Sequence, residues 1–162
     1  MTAIGRDARP SSIVLRPATA EDAAALGDVY LAAFHATYDF PLAHTDDQVR
    51  AWLQDVVVPA GNTWVAVDEA ADGAVVGLAV VAGADLDQLY VAPDRLGEGI
   101  GRRLLDLAKD RSPGGLSLYT FQVNDRARRF YERNGFTAEW FGDGSANEEG
   151  QPDVRYVWRP AP

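Results

Sequence analysis

Apolar residues follow two different periods along this chain, and they predict both strands and helices. Runs of apolar and β-branched residues between turn residues are typical of strands. Seven segments have this character: residues 11–17, 62–69, 74–82, 85–92, 116–123, 136–142 and 154–158. Apolar residues at helical spacing predict helices at residues 20–38, at 44–57, in a stretch that ends near 111, and at 124–134.

The order of these elements predicts one α/β domain with a mixed sheet. One strand is followed by two helices, three strands, a helix, a strand, a helix and two strands, without an internal repeat or a linker. We assign the domain to residues 11–162. Residues 1–10 lack the apolar segment of a secretory signal, and we expect them to form a flexible tail. No apolar run approaches the roughly 20 residues that a bilayer span needs.

Composition narrows the possible functions. The 162 residues include no cysteine and only two histidines, His35 and His44, so we expect no metal site and no thiol nucleophile. The absence of cysteine also fits a cytoplasmic location. The formal net charge of −9 predicts repulsion from nucleic acid and from anionic lipid.

The charge is distributed unevenly along the chain. Residues 95–133 hold nine basic and five acidic residues, whereas the remainder holds six basic and 19 acidic residues. A basic region on an acidic protein favours a small anionic ligand there, although these side chains could also form solvated helix faces.

A glycine-rich stretch joins a predicted strand to a predicted helix inside this basic region. In "LYVAPDRLGEGIGRRLL", residues 89–105, the glycines are Gly97, Gly99 and Gly101. The stretch lacks the Lys-Ser/Thr end of a P-loop and the third glycine of a dinucleotide fingerprint. Glycines before a helix N-terminus still suit an anion site, because several amide N–H groups point outward together. Taken alone, the stretch is equally consistent with a plain tight turn.

Two motifs in order carry a resemblance to a known family. The run "LYVAPDRLGEGIGRRLLDLAK" resembles the coenzyme A signature Gln/Arg-x-x-Gly-x-Gly/Ala of the GCN5-related N-acetyltransferase (GNAT) superfamily. The block "NDRARRFYERNGF", residues 124–136, is similar to the next motif of that family. The order of elements also matches, so the resemblance covers nearly the whole chain. It implies a GNAT-like, mostly antiparallel sheet flanked by helices, with Leu96 at the position that usually holds Gln or Arg.

The resemblance implies that the protein transfers an acetyl group from acetyl-CoA, as cosubstrate and without a metal, to a primary amine in a ternary complex. Arg126 and Arg133 would meet the 3′-phosphate or lie in solvent. The residues implied to bind the coenzyme are Leu89, Tyr90, Val91, Leu96, Gly97, Glu98, Gly99, Ile100, Gly101, Arg102, Asn124, Ala127 and Tyr131.

The resemblance also implies catalytic roles. Tyr131 matches the family's general acid, which protonates the departing thiolate, although it could instead be a buried core tyrosine. Asp85 lies near the position where many members carry a glutamate that acts as general base through a water molecule. Asp87 faces the same side if the strand is regular. Some relatives use no dedicated base.

The acceptor site is expected between the first two helices and the late polar loop. We expect Phe34, Tyr38, Glu148 and Glu149 to bind the acceptor, although the loop of residues 143–153 could also be plain solvated surface. The acidic charge outside the coenzyme region favours a polyamine, an aminoglycoside or a lysine side chain, and a homodimer is possible. The alternatives are a coenzyme A-binding or sensing module without turnover and a nucleotide-binding protein of another type.

Overall fold

A computed structural model describes residues 11–162, so the predicted tail at residues 1–10 lies outside the described residues. The seven predicted strands are β1 (Ile13–Pro17), β2 (Thr63–Asp68), β3 (Ala74–Ala82), β4 (Asp85–Val91), β5 (Leu116–Phe121), β6 (Thr137–Gly142) and β7 (Asp153–Trp158). The four helices are α1 (Ala23–Thr37), α2 (Asp46–Trp52), α3 (Ile100–Arg111) and α4 (Asp125–Arg133). After α2 the chain continues as a wider π-helical turn over Leu53–Val57.

All seven strands form one sheet in the order β1-β2-β3-β4-β5-β7-β6. Every neighbouring pair is antiparallel except β4 and β5, which are parallel. The predicted mixed, mostly antiparallel sheet is therefore confirmed. Within residues 11–162, no helix is both long enough and apolar enough to cross a bilayer.

The parallel pair is joined at one end only. Asp85 pairs with Ser117, and in the described chain no later residue of β4 pairs with β5. The two strands therefore separate toward their C-terminal ends. The edge of β4 that faces β5 keeps main-chain groups that no strand of residues 11–162 satisfies.

A bulge in β4 lies close to the point of separation. On β3, Val80 pairs with Gln88 and the next residue, Val81, pairs with Leu86, so Asp87 is the extra residue. A β-bulge reverses the alternation of side chains beyond it. Leu86 and Leu89 consequently point to the same face of the sheet.

The two faces of the sheet carry separate cores. On one face, α1 and α2 pack against β2 and β3 through residues such as Leu26, Leu53 and Leu78. On the other face, α3 and α4 pack against the centre of the sheet through residues such as Leu104 and Tyr156. Both helix layers thus lie against β3 and β4 and fix the position of the separating strands.

Truncation of a core side chain should show how much this packing contributes to stability. Val65 on β2 is fully buried, whereas Val56 is 57% exposed. We expect Val65→Ala to lower the free energy of unfolding by about 2 kcal/mol, since the mutation removes two buried methyl groups and leaves a cavity. The matched control, Val56→Ala, should change it by no more than about 0.5 kcal/mol. Urea denaturation of both variants measures the difference, and equal effects would contradict the assigned core.

Candidate active site

The separation of β4 from β5 opens a cleft of about 1040 Å³. Its walls are β4, the end of β5, the loop before α3, and α4. Residues on both sides of the sheet reach the cleft, so a long ligand can enter from one face and a second ligand from the other. Most of the residues predicted from the sequence to bind the coenzyme line this one space.

Two of the three glycines are required by the backbone. Gly97 and Gly99 have φ values of 83° and 80°, in the left-handed region that favours glycine. Gly99 is the N-cap of α3, and the first hydrogen bond of the helix is donated by Arg103 N to Gly99 O at 3.1 Å. The N–H groups of the first helical turn have no partner within the helix, and they form an anion site at the cleft wall.

Gly101 has a different role. It lies inside α3, and a Cβ there would be 3.6 Å from both Phe130 and Val91, which is ordinary contact distance. It therefore belongs to the packing of α3 against α4 and β4. Only Gly97 and Gly99 shape the loop.

Arg95 anchors the glycine loop to the sheet. It donates a hydrogen bond to Asp68 at the end of β2 at 2.9 Å and two to Glu98 within the loop at 2.7 and 3.0 Å. Hydrogen bonds from Ser12 and Arg95 hold the pKa of Asp68 below its usual range, and Arg95 also lowers the pKa of Glu98. Both carboxylates therefore stay charged at neutral pH and hold Arg95 in place.

Asp68 was not predicted from the sequence, because its partner lies 27 residues away. Arg95 and Glu98 bind each other, so their side chains are structural supports for the loop. Leu96, in contrast, is 45% exposed and faces the cleft without a polar group to offer a ligand.

Asn124 connects the two sides of the cleft. Its Oδ1 accepts a hydrogen bond from the backbone N–H of Ala127 at 3.0 Å and so caps α4. Its Nδ2 donates to the hydroxyl of Tyr38 at 2.8 Å. The sequence predicted Asn124 for the coenzyme and Tyr38 for the acceptor, and the structure brings these two residues into direct contact.

Tyr131 lies in the cleft wall on α4 and is 7% exposed. Its ring packs against Phe130, Phe136 and Tyr156 at centroid distances of 5.3 to 6.0 Å. Burial, with a smaller contribution from Tyr38, raises the pKa of Tyr131 well above its ordinary value. The phenol is therefore protonated at neutral pH and can donate a proton.

The wall on the opposite side comes from β4. Leu89, Tyr90 and Val91 line the cleft along the unpaired edge of that strand. The ring of Tyr90 packs 4.6 Å from that of Tyr30 on α1, and burial raises the pKa of Tyr90 well above its ordinary value. Arg126 and Arg133 line the same cleft from α4.

The two aspartates that were predicted as alternative bases differ in their access to the cleft. Asp87 lines the cleft, and partial burial, together with the charge of Asp85, raises its pKa. Asp85 does not line the cleft, and its Oδ1 accepts a hydrogen bond from the hydroxyl of Ser117 at 2.6 Å. Both aspartates line a smaller cavity where β4 and β5 join, and Asp85 lies at the closed end where the two strands pair.

An aromatic cluster stands at the other end of the cleft. Tyr38 stacks on Phe40 with a centroid distance of 4.9 Å, and Phe121 meets both rings edge-on at 5.2 Å. Tyr38 and Phe121 line the cleft. Phe34 packs below them and is only 2% exposed, so it supports the cluster without facing the cleft.

The polar loop between β6 and β7 closes this end. Glu148 Oε2 lies 2.8 Å from Nε2 of His44, which joins the loop to the start of α2. Glu148 and Glu149 do not line the cleft, whereas Asn147 and Asp153 do. Asn147 was missed because no local pattern distinguishes it from other loop residues.

The side-chain amide of Gln122 fixes both ends of that loop. Its Nε2 donates to the carbonyl oxygens of Gly142 at 3.0 Å and Asp153 at 2.9 Å. In the described part of the chain, no cluster of three His, Asp or Glu residues is arranged to hold a metal ion.

Comparison with known proteins agrees with this geometry. A family model described as an acetyltransferase (GNAT) domain matches residues 59–138. The peptidyl-lysine N-acetyltransferase YjaB of Escherichia coli is 30% identical over 143 residues, which cover 86% of this chain and 91% of that protein. YjaB of Salmonella typhimurium is 29% identical, with 86% and 92% covered.

Solved structures show the same fold. The solution structure of apo-form YjaB from E. coli has a TM-score of 0.75 at 26% identity and covers 92% of this chain and 99% of that chain. PaiA N-acetyltransferase from Thermoplasma acidophilum, solved in complex with coenzyme A, has a TM-score of 0.67 at 20% identity, with 91% and 99% covered. The chain therefore belongs to the GNAT superfamily, and it is an acyl-CoA-dependent N-acetyltransferase.

Proposed function

We propose that this enzyme transfers the acetyl group of acetyl-CoA to the side-chain amine of a lysine in a polypeptide. The observation that carries this proposal is the cleft itself, which has a helix N-terminus suited to phosphate at one end and an aromatic cluster beside Asp153 at the other. Two relatives that are about 30% identical are named peptidyl-lysine N-acetyltransferases, and this supports the choice of lysine. The cytoplasmic location and the homodimer stay predictions.

The coenzyme is held mainly by main-chain groups. The unpaired edge of β4 at Leu89–Val91 has the N–H and C=O groups to pair with the amides of the pantetheine arm, as an added strand would. The pyrophosphate meets the free N–H groups at the start of α3, in the loop shaped by Gly97 and Gly99. Leu96 adds no polar contact, and the pyrophosphate site does not depend on its side chain.

The reaction joins the amine nitrogen to the acetyl carbon and breaks the bond from that carbon to sulfur. The ammonium of the acceptor first loses a proton, which Asp87 can accept directly or through water because it lines the cleft. The thiolate that leaves must gain a proton, and the protonated phenol of Tyr131 supplies it. The nitrogen loses its second proton as the amide forms, and this proton restores the phenol. Tyr38 and Phe121 flank the alkyl chain of the lysine as it enters.

The acceptor class can be tested with a panel of amines. We expect a lysine peptide with a blocked N-terminus to release free coenzyme A faster than spermidine or an aminoglycoside, because the aromatic cluster fits an alkyl chain and two relatives about 30% identical are named peptidyl-lysine N-acetyltransferases. The same peptide with arginine in place of lysine is the control and should release none. Preferred turnover of spermidine or the aminoglycoside would contradict the proposal.

Substitution of the general acid should separate binding from chemistry. Tyr131→Phe keeps the aromatic packing and removes the hydroxyl, so kcat should fall by about a hundredfold or more while the Kd for acetyl-CoA stays unchanged. Tyr30→Phe is a matched control, since Tyr30 is also buried but does not line the cleft. Calorimetry and thiol release measure the two quantities, and an unchanged kcat for Tyr131→Phe would rule out the assignment.

The base can be identified by comparing the two aspartates on a small amine such as Nα-acetyl-lysine methylamide. Asp87 must be ionised to accept a proton, so kcat/KM should fall as the pH drops through its pKa, which lies above the ordinary value of about 3.9. Asp87→Asn should lower kcat and abolish this acidic limb of the pH profile. Asp85→Asn should keep both the kcat and the acidic limb of the wild type. If Asp85→Asn lowers kcat more than Asp87→Asn does, Asp85 is the base.

A further inference from the structure

Half of one face of the sheet has large aromatic side chains that are exposed to solvent. On this face α1 packs on β3 and β4, whereas the continuation of the face over β5, β7 and β6 exposes Tyr119 by 62% and Trp140 by 46%. Arg155 on β7 pairs with Tyr119 on one side and Trp140 on the other, so the three side chains form a row across the strands. The two aromatic rings meet edge-on at 6.3 Å. We call this row the β5–β7–β6 face.

This face is on the acceptor side of the enzyme. Tyr119 and Phe121 are two residues apart on β5, so their side chains point to the same side of the sheet. Phe121 belongs to the aromatic cluster with Tyr38 and Phe40. A chain that inserts a side chain past this cluster therefore has the β5–β7–β6 face beside it.

A second cavity connects the face to the cleft. It has a volume of about 390 Å³ and lies where β4 and β5 join. Asp87 and Tyr119 line both this cavity and the cleft, while Asp85, Ser117 and Arg155 line the cavity alone. A ligand in the cavity would be continuous with an amine held beside Asp87.

The charge of the cavity is negative. Asp85 and Asp87 form no ion pair within residues 11–162, whereas Arg155 has a carboxylate oxygen of Glu139 at 3.8 Å. The cavity thus holds two carboxylates and one guanidinium, and Glu139 already balances part of the charge of that guanidinium. Positive charge on a ligand is complementary to this arrangement, and exposed aromatic rings favour contact with guanidinium or peptide planes.

We propose that the β5–β7–β6 face and its cavity bind the polypeptide that flanks the acceptor lysine, with a basic residue near Asp85. The inference rests on the proposed function, because only a polypeptide acceptor extends beyond the cleft. A small amine fills the cleft alone and gains nothing from the face. The face therefore determines which lysines are modified, and the chemistry takes place in the cleft.

The experiment compares a peptide with a small amine. Trp140→Ala should raise KM by about tenfold for a blocked peptide with arginine beside the lysine, because an aromatic contact is lost. It should leave kcat for the peptide, and both constants for Nα-acetyl-lysine methylamide, unchanged. Phe141→Ala is the matched control, since Phe141 is at least as exposed on the same strand but points to the opposite face, toward Arg128.

A second variant tests the charge. Wild type should prefer the peptide with arginine beside the lysine over one with glutamate there, and Asp85→Asn should reduce this preference by about fivefold, the upper range for an exposed ion pair. The reduction should shrink at high salt. This readout does not depend on whether Trp140→Ala folds as well as wild type.

Four results would overturn the inference in distinguishable ways. If peptide and small amine respond equally to Trp140→Ala, the face does not bind the polypeptide. If sedimentation shows that wild type is a dimer and Trp140→Ala a monomer, the face binds a second copy of the chain. If wild type acetylates the small amine but no lysine peptide, the proposed acceptor class fails and the inference fails with it. Normal peptide turnover with unchanged KM in both variants overturns the inference alone.

Discussion

The single pairing between β4 and β5 is the constraint on which the active site depends. Two parallel strands that stay paired would close the sheet, and no ligand could reach its centre. Here they share one pair at Asp85 and Ser117 and then diverge, which leaves the edge of β4 unpaired and opens the cleft. The helices on the two faces hold the strands apart, because each layer packs against the strands beside the opening.

The loops around this opening are held by long-range polar contacts. Arg95 ties the glycine loop to Asp68 at the end of β2, and Gln122 ties both ends of the β6–β7 loop to the end of β5. The contact between Tyr38 and Asn124 joins the end of α1 to the start of α4 across the cleft. A coenzyme group that takes the amide of Asn124 would therefore release the hydroxyl of Tyr38, which connects the two binding events physically.

Local patterns predicted the elements well because the signals are local. Apolar alternation, helical spacing and turn residues gave all seven strands and four helices in the observed order, with bounds that differ by a few residues at most ends. The two motifs likewise identified the family, and they lie on the cleft wall because each spans a strand or loop end and the helix that follows it. The roles of single side chains were less predictable. Phe34 is in the core, and Glu148 and Glu149 do not line the cleft.

The sequence by itself determined the fold class, the glycine loop at a helix N-terminus and the family, since these follow from residue types at short spacing. Only the tertiary structure decided which aspartate lines the cleft, because β4 and β5 are still paired at Asp85 and the cleft opens beyond that pair. It also decided that Arg95 supports the loop through Asp68 and that Asn124 and Tyr38, which were predicted for the coenzyme and for the acceptor, are in contact. Such contacts join residues 27 and 86 positions apart, and chain folding alone brings them within hydrogen-bond distance.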